Sequence, residues 1–293
     1  MRNFRTYGEV PATPSHPVLA QVGDQRARLG QRLAKIHHIV PVVSGKGGVG
    51  KSAVSANLAA ALALRGFRVG AVDGDLNGPS LAAMLGVSPE PLQVTDDGVV
   101  PAVGAADVRL VATDLLLEAA DTPLRWRGPP GDEFLWRGAL EAGTLREFLS
   151  DVVWGDLDFL VVDLPPGTDR IQRFLEFVPD PAAVLLVTTP SRAAARVVAR
   201  AEALLSSGTR FGTVMNMAAG SCPHCGGTLP LFDAPADPGR DPHTIDFWGE
   251  IPFDHRLAHA TDAGRPIVLD PDASRAATAL WALTDRVLTE CEF

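Results

Sequence analysis

The chain has 293 residues, of which 46% are hydrophobic and 21% are charged, and this length fits one large α/β domain or two small ones. Its formal net charge of -9 repels a phosphate backbone, so we expect no nucleic-acid partner. No stretch approaches the roughly 20 apolar residues that span a bilayer, so we expect no membrane partner. The chain has three cysteines and no apolar secretory segment at its start, which predicts a cytoplasmic protein.

The first stretch of the chain shows no periodicity and holds Pro11, Pro14 and Pro17. We therefore predict a flexible N-terminal tail over residues 1–22, followed by one domain over residues 23–293. A short polar helix is predicted over Asp24–Lys35, at the start of that domain. No internal repeat and no second composition regime divide the rest of the chain.

From Ile39 onward, short apolar runs alternate with longer amphipathic segments. Continuous Val, Leu and Ile runs are typical of strands that are buried on both faces of a parallel sheet. The predicted strands are “IVPVVS” (39–44), “RVGAVD” (68–73), “VRLVAT” (108–113), “FLVVDL” (159–164), “AVLLVTT” (183–189) and “GTVMNM” (212–217). Crossover helices are predicted over Ser52–Arg65, Thr144–Val153 and Arg192–Ser207, with Gly66 as a C-terminal cap. This alternation predicts one doubly wound α/β domain with a mostly parallel sheet.

The segment “GKGGVGKS”, Gly45–Ser52, satisfies the pattern G-x-x-x-x-G-K-[ST] between a predicted strand and a predicted helix. Its glycines allow backbone N–H groups to surround phosphates, and the helix N-terminus adds its positive end. We expect Lys51 to reach the β- and γ-phosphates of ATP and the Ser52 hydroxyl to bind Mg²⁺. The predicted nucleotide-binding residues of this loop are Gly45, Lys46, Gly47, Gly48, Val49, Gly50, Lys51, Ser52 and Ala53.

Aspartates close two of the predicted strands. Asp73 and Asp75 follow the second strand, where a carboxylate can bind Mg²⁺ or orient the attacking water. Asp163 ends a buried run, at the position where a carboxylate anchors Mg²⁺ through water. Each aspartate alone is also typical of a capped turn. In this order after a P-loop they predict an ATPase site with Lys51, Asp75 and Asp163 as catalytic residues and with Ser52 and Asp75 on Mg²⁺.

The second lysine of the loop, Lys46, resembles the deviant Walker A lysine of the MinD, ParA and nitrogenase-iron-protein class of P-loop NTPases. That resemblance implies a homodimer in which Lys46 reaches the partner's nucleotide and takes part in catalysis. A solvated loop lysine is the alternative. The resemblance also implies that Asn216, which closes the strand “TVMN”, contacts the adenine of ATP.

A larger part of the chain is similar to the Mrp/ApbC family of P-loop ATPases, the carriers or scaffolds of iron–sulfur cluster assembly. The matching stretches, from Ile39 to about Pro266, are “SGKGGVGKS”, “DGDLNGPS”, “WRG…LREFL”, “WGDLDFLVVDLPPGT”, “VTTPS”, “NM…CPHCGG”, “GEIPFDHRL” and “DAGRPIV”. The resemblance implies a carrier that binds and hydrolyses ATP, holds a cluster between two protomers and transfers it to apo iron–sulfur proteins. The family's “PPGTGD” reads “PPGTDR” here, at residues 165–170, so we expect slow hydrolysis.

Cys222 and Cys225 supply two thiolates, whereas iron–sulfur clusters and structural zinc take four ligands. In the dimer that the resemblance implies, two such pairs form the Cys₄ set of a 4Fe–4S cluster shared across the dimer. Structural zinc, with His224 or His243 added, a redox dithiol and plain structural cysteines are the alternatives. Cys291, two residues from the C-terminus, is expected to be an incidental exposed thiol.

The competing function is a MinD- or ParA-like nucleotide-dependent dimeric switch, without a metal cluster or with structural zinc at the cysteine pair. A MinD-like protein would end in a basic amphipathic helix that binds a membrane. The last predicted helix, within residues 273–293, has mixed charges and ends with Glu290 and Glu292. We therefore predict that it packs on the domain.

Overall fold

The helices and strands come from a computed structural model, which describes residues 17–76, 78–88, 90–116, 133–167, 169–191, 209–221, 224, 227–232, 246–270 and 274–292. The helices are α1 (Pro17–Leu33), α2 (Lys51–Leu64), α3 (Leu81–Met84), α4 (Glu133–Asp151), α5 (Asp169–Leu175), α6 (His255–Asp262) and α7 (Arg275–Glu290). The strands are β1 (Ile36–Val43), β2 (Val69–Asp73), β3 (Val94–Thr95), β4 (Gly98–Val99), β5 (Ala102–Val103), β6 (Arg109–Val111), β7 (Leu157–Asp163), β8 (Val184–Thr188), β9 (Phe211–Asn216), β10 (Gly220–Ser221), β11 (Thr228–Leu229) and β12 (Phe247–Ile251).

The main sheet has eight strands in the order β12-β9-β8-β1-β7-β2-β6-β5. All neighbours pair in parallel except β5, which runs antiparallel to β6 at one edge. The six predicted strands are the six central ones, so the prediction of a mostly parallel sheet is confirmed. Because the parallel strands share a direction, the residues that follow their carboxyl ends collect at one edge of the sheet.

Two apolar clusters cover the two faces of the sheet. Strand β1 shows the period of two that this requires, since Val40 and Val42 join one cluster while Ile39 and Val43 join the other. Helices α2 and α7 pack on the first face, and α1, α4 and α5 pack on the second. The prediction that the last helix packs on the domain is confirmed. None of the described helices is long and apolar enough to cross a membrane.

Several predicted helix boundaries differ from the observed ones. Helix α1 begins at Pro17, inside the segment predicted as a tail, and α4 begins eleven residues before its predicted start at Thr144. The predicted helix Arg192–Ser207 lies outside the described residues. The cap at Gly66 is confirmed: its φ of 93° is in the left-handed region, and its N–H donates to the Ala63 carbonyl at 2.9 Å.

The expectation of an exposed Cys291 is wrong, because the side chain is only 6% exposed and belongs to the apolar cluster under α7. Burial raises the pKa of the Cys291 thiol to about 11. The physical reason is that α7 packs along its whole length, down to its last turn. An ion pair between Arg210 and Glu292 lies beside this turn.

Candidate functional site

The glycine-rich loop connects β1 to α2 at the carboxyl edge of the sheet. Gly48 and Gly50 have φ angles of 78° and 80°, which favour glycine over residues with a side chain. Gly50 is the N-cap of α2, and no side chain makes a capping hydrogen bond there. The first N–H groups of α2 are therefore left for another acceptor, as at anion-binding helix N-termini.

Asp163, at the end of β7, is the centre of a buried cluster of polar side chains. It is fully buried, and its Oδ1 lies 2.7 Å from Nζ of Lys51. The Ser52 hydroxyl lies 2.6 Å from Oδ2 of Asp163. The Ser55 hydroxyl, one helical turn further along α2, lies 2.7 Å from Oδ1. The structure therefore brings Lys51, Ser52 and Asp163 together, as the sequence predicted.

The Lys51 ammonium is suited to receive a second anionic partner. Its side chain is 7% exposed, and none of the described residues offers Nζ a hydrogen bond of good geometry beside the ion pair with Asp163. An ammonium carries three N–H donors, and a buried one without acceptors is unfavourable. The donors fit phosphate oxygens, while the oxygens of Ser52 and Asp163 are the hard ligands that Mg²⁺ prefers.

Asp73 lies beside this cluster, directly opposite Asp163 in the pairing of β2 with β7. Its carboxylate is fully buried and accepts hydrogen bonds from the backbone N–H groups of Asp75, Ser80 and Leu81 at 2.8–3.0 Å. It thereby holds the loop after β2 in place. Asp75, the predicted Mg²⁺ ligand, is partly buried at the start of this loop.

Burial, and secondly the nearby charge of Asp163, raise the pKa of Asp73 to about 7. An aspartate in the unfolded chain has a pKa of about 3.9, so the folded free protein holds this proton more tightly than the unfolded chain does. Stability that Asp73 contributes at low pH is therefore lost as the pH rises through about 7.

We expect Asp73→Asn to remove this pH dependence. The melting temperature of the variant minus that of the wild type should rise by several degrees between pH 5 and pH 8 in nucleotide-free protein. Any pH-independent loss from the altered backbone hydrogen bonds shifts all values equally. Thermal melts in a pH series measure the difference, with the exposed Asp285→Asn as control. A difference that stays constant with pH would contradict the raised pKa.

Lys46 is part of the loop, and Asn216 contacts the loop from β9. Lys46 is exposed, and its Nζ lies 3.4 Å from Oγ of Ser191, in the loop after β8. Asn216, at the end of β9, is buried and donates from Nδ2 to the Val49 carbonyl at 2.8 Å. In this structure Asn216 therefore ties β9 to the glycine-rich loop. Its predicted contact with adenine stays a prediction.

Cys222 and Cys225 lie outside the described residues, as does His243. The strands on either side of the pair are described: β10 and β11 form an antiparallel hairpin, and His224 lies in an exposed turn. Three large apolar side chains near this hairpin are exposed, namely Leu229, Leu231 and Phe253 at 43–48%. The described residues hold no group of three His, Cys, Asp or Glu side chains that is placed to bind a metal ion.

Ser55 was not predicted as a site residue. It lies four positions after Lys51 and three after Ser52, so it shares their face of α2. This helical spacing is the signal that identifies it, although no phosphate-binding pattern includes the position. Ala53 lies in the first turn of α2, where its carbonyl accepts a hydrogen bond from Asn57 at 2.8 Å.

The parallel sheet, the glycine-rich loop and the buried Lys51–Asp163 pair define a P-loop NTPase. A family model described as ParA, NUBPL iron-transfer P-loop NTPase, matches residues 35–288. The chain therefore belongs to this family, and its predicted similarity to iron–sulfur carrier ATPases is confirmed.

Two relatives support the same assignment. The chain is 35% identical over 97% of its length to an iron–sulfur cluster carrier protein of Saccharolobus solfataricus, 96% of which is covered. It is 35% identical over 88% of its length to the cytosolic Fe-S cluster assembly factor nubp2 of Xenopus laevis, 95% of which is covered.

Solved structures show the same fold. A nucleotide-binding protein of Archaeoglobus fulgidus in complex with ADP aligns with a TM-score of 0.66 and 33% identity, over 84% of this chain and 94% of that one. The cell division ATPase MinD of Pyrococcus furiosus aligns with a TM-score of 0.58 over 86% of this chain and 99% of that one. At 22% identity, the match to MinD shows only that the two proteins have similar folds.

Proposed function

We propose that this protein is an ATP-dependent iron–sulfur cluster carrier, which holds a cluster between two protomers and transfers it to apo iron–sulfur proteins. The observation that carries the proposal is the contact between Asn216 and the Val49 carbonyl. It joins the glycine-rich loop to β9, and the hairpin around the cysteine pair begins four residues after Asn216. The names of the relatives support the cargo, since they are iron–sulfur carriers and assembly factors.

In the nucleotide site, the N–H groups of the loop and the Lys51 ammonium bind the phosphates, and Ser52 binds Mg²⁺. When bound, Mg²⁺ supplies positive charge at the β- and γ-phosphates. Lys51 contacts Asp163 in this structure, so part of this ion pair would be exchanged for phosphate contacts when nucleotide binds. Asp163 would hold Mg²⁺ through water, and Asp75 would bind Mg²⁺ or orient the attacking water. Because the family's “PPGTGD” reads “PPGTDR” after Asp163, we expect this hydrolysis to be slow.

The cluster is the cargo of the protein, and its thiolate ligands are Cys222 and Cys225 from each of two protomers. One chain supplies two of the four thiolates that a 4Fe–4S cluster takes. A second copy that supplies the other two also covers Leu229, Leu231 and Phe253, which are exposed in the single chain. The exposed Lys46 lies on the same edge of the sheet and is the residue that contacts the partner's nucleotide.

Iron and sulfide content after anaerobic reconstitution tests the cargo. We expect about four irons and four sulfides per wild-type dimer, with the broad visible absorbance of a 4Fe–4S cluster. Cys222→Ala/Cys225→Ala should lose all of this while it still binds ATP. Cys291→Ala is the matched control, because it removes a thiol that is buried away from the hairpin and should leave the cluster in place.

The outcomes of this experiment separate the two functions. Zinc at one per dimer, or no metal in the wild type, would leave a nucleotide-dependent switch of the MinD and ParA kind. A cluster that transfers to an apo 4Fe–4S acceptor at one rate with ATP, with ADP and without nucleotide would refute the coupling. Moving the equilibrium between retention and release from 1:99 to 99:1 requires a discrimination of about 10⁴ between nucleotide states.

A further inference from the structure

Ser55 makes an unusual hydrogen bond for a serine inside a helix. Its hydroxyl is fully buried and has two acceptors, Oδ1 of Asp163 at 2.7 Å and the Lys51 carbonyl at 3.1 Å. A hydroxyl carries one proton, so it donates to one acceptor at a time. The shorter contact with the charged oxygen is the stronger one, and Ser55 therefore donates to Asp163.

Two buried or partly buried threonines show the usual behaviour of a helical hydroxyl, which donates within its own helix. Thr261 donates to the Leu257 carbonyl at 2.7 Å, and Thr284 donates to the Leu280 carbonyl at 2.8 Å. These bonds are the ordinary local alternative for a helical Ser or Thr. The Ser55 hydroxyl lies further from the Lys51 carbonyl of its own helix than the hydroxyls of Thr261 and Thr284 lie from theirs. Its shorter hydrogen bond, to Asp163, crosses from α2 to β7.

Lys51, Ser52 and Ser55 all donate to Asp163, but nucleotide binding is expected to affect them differently. Lys51 and Ser52 are the two that the proposed function assigns to the phosphates and to Mg²⁺. Ser55 lies one turn deeper in α2 and is fully buried, so it does not reach a ligand. Of the three side chains that meet Asp163 in the described part of the chain, Ser55 is the one to which the proposed function assigns no ligand.

We propose that Ser55 is a positioning residue, which fixes the Asp163 carboxylate toward Mg²⁺ once Lys51 has turned to the phosphates and the Ser52 oxygen has bound Mg²⁺. The inference rests on the proposed ATP and Mg²⁺ binding. In the structure this bond is one of three and is partly redundant. In the nucleotide-bound protein Lys51 is turned to the phosphates and Ser52 is shared with Mg²⁺, so the Ser55 bond is the one contact from α2 that serves Asp163 alone.

Nucleotide binding at a series of Mg²⁺ concentrations tests this role in Ser55→Ala. We expect Ser55→Ala to need about tenfold more Mg²⁺ than the wild type to reach half of the Mg²⁺ effect on its affinity for ADP and for ATP. A change of about tenfold is the effect of losing a hydrogen bond to a charged group. Affinity for nucleotide in EDTA should change less than about twofold. Calorimetric titration measures both, and at saturating Mg²⁺ the ATPase kcat should fall by a similar factor with little change in KM for ATP.

Matched variants separate positioning from packing. Ser150→Ala removes another fully buried helical serine, whose hydroxyl lies 2.9 Å from Oδ1 of Asp151, and it should leave the Mg²⁺ response unchanged. Ser55→Cys keeps the volume with a weak donor and should resemble Ser55→Ala. Ser55→Thr keeps the hydroxyl and should resemble the wild type. The Thr and Cys variants carry the test if Ser55→Ala fails to fold.

Two failures are distinguishable. If the wild type binds no nucleotide with or without Mg²⁺, the proposed function fails and this inference falls with it. If the wild type binds with a clear Mg²⁺ dependence that Ser55→Ala and Ser55→Cys share, the proposed function stands and the role of Ser55 is refuted. An equal shift of the Mg²⁺ response in Ser150→Ala would also refute the role of Ser55, because the loss of any buried helical serine would then have the same effect.

Discussion

Replacing Lys51 with methionine is expected to lower the melting temperature of the nucleotide-free protein by about 6–10 °C, in addition to abolishing nucleotide binding. The ammonium lies 2.7 Å from Oδ1 of Asp163, and the two side chains are 7% and 0% exposed. Removing one partner of a buried ion pair leaves an uncompensated charge and costs about 3–5 kcal/mol. Differential scanning calorimetry without nucleotide measures this loss.

The double variant Lys51→Met/Asp163→Asn provides the decisive comparison. It removes both charges, so most of the lost stability should return, while nucleotide binding stays absent. Arg28→Met is the control for an ion pair near the surface, since Arg28 and Asp151 are 50% and 38% exposed. That variant should lose no more than about 1 kcal/mol. Single and double variants of equal stability would contradict a stabilising pair at Lys51.

This ion pair bears on how the protein uses ATP. In the free protein, Lys51 and Ser52 both contact Asp163, so the groups proposed to bind ATP and Mg²⁺ already have partners. Under the proposed function, nucleotide would replace at least the contact of Lys51 with Asp163, and it would thereby change the surroundings of β7. A site that exchanges its contacts on binding has two states that differ in packing, and the proposed nucleotide-dependent carrier would use that difference.

The central strands were predictable because they are buried on both faces and therefore appear as continuous apolar runs. The edge strands were not predictable in this way. β5 has two residues, and β12, “FWGEI”, contains Gly249 and the exposed Glu250, so neither forms an apolar run. The start of α1 did have a signal, since proline is favoured in the first turn of a helix, and Pro17 occupies that position.

The phosphate-binding pattern located Lys51 and Ser52, and the strand-end rule located Asp163. The contact of Ser55 depends on how α2 lies over β7, which is tertiary information that no local pattern contains. The burial of Cys291 has the same origin, because nearness to a terminus says nothing about whether the last helix packs. The roles of Cys222 and Cys225 stay predictions from the family motif.

Alanine at Gly50 is expected to destabilise the nucleotide-free protein by about 2–4 kcal/mol and to distort the glycine-rich loop. Two effects combine there. Gly50 has a φ of 80°, which is strained for alanine, and an added Cβ would lie 2.2 Å from Nδ2 of Asn216. The amide that donates to the Val49 carbonyl would have to move, and the link between the loop and β9 would break.

Neighbouring glycines separate the two effects. Gly48 has a φ of 78° but open space around an added Cβ, so Gly48→Ala should show the strain alone, about 1–2 kcal/mol. Gly47 has neither feature, so Gly47→Ala should leave the melting temperature of the free protein unchanged. Gly50→Ala/Asn216→Ala removes the clash but also the amide hydrogen bond. Compared with Asn216→Ala alone, it should lose only the strain energy.

The same variants test whether the loop communicates with the cysteine hairpin. β9 carries Asn216 and continues toward β10, so a broken contact at Gly50 should alter the nucleotide dependence of cluster release. Gly48→Ala strains the loop without touching Asn216 and should preserve that dependence wherever nucleotide still binds. If Gly50→Ala, at saturating nucleotide, released its cluster with the wild-type dependence, coupling through β9 would be excluded.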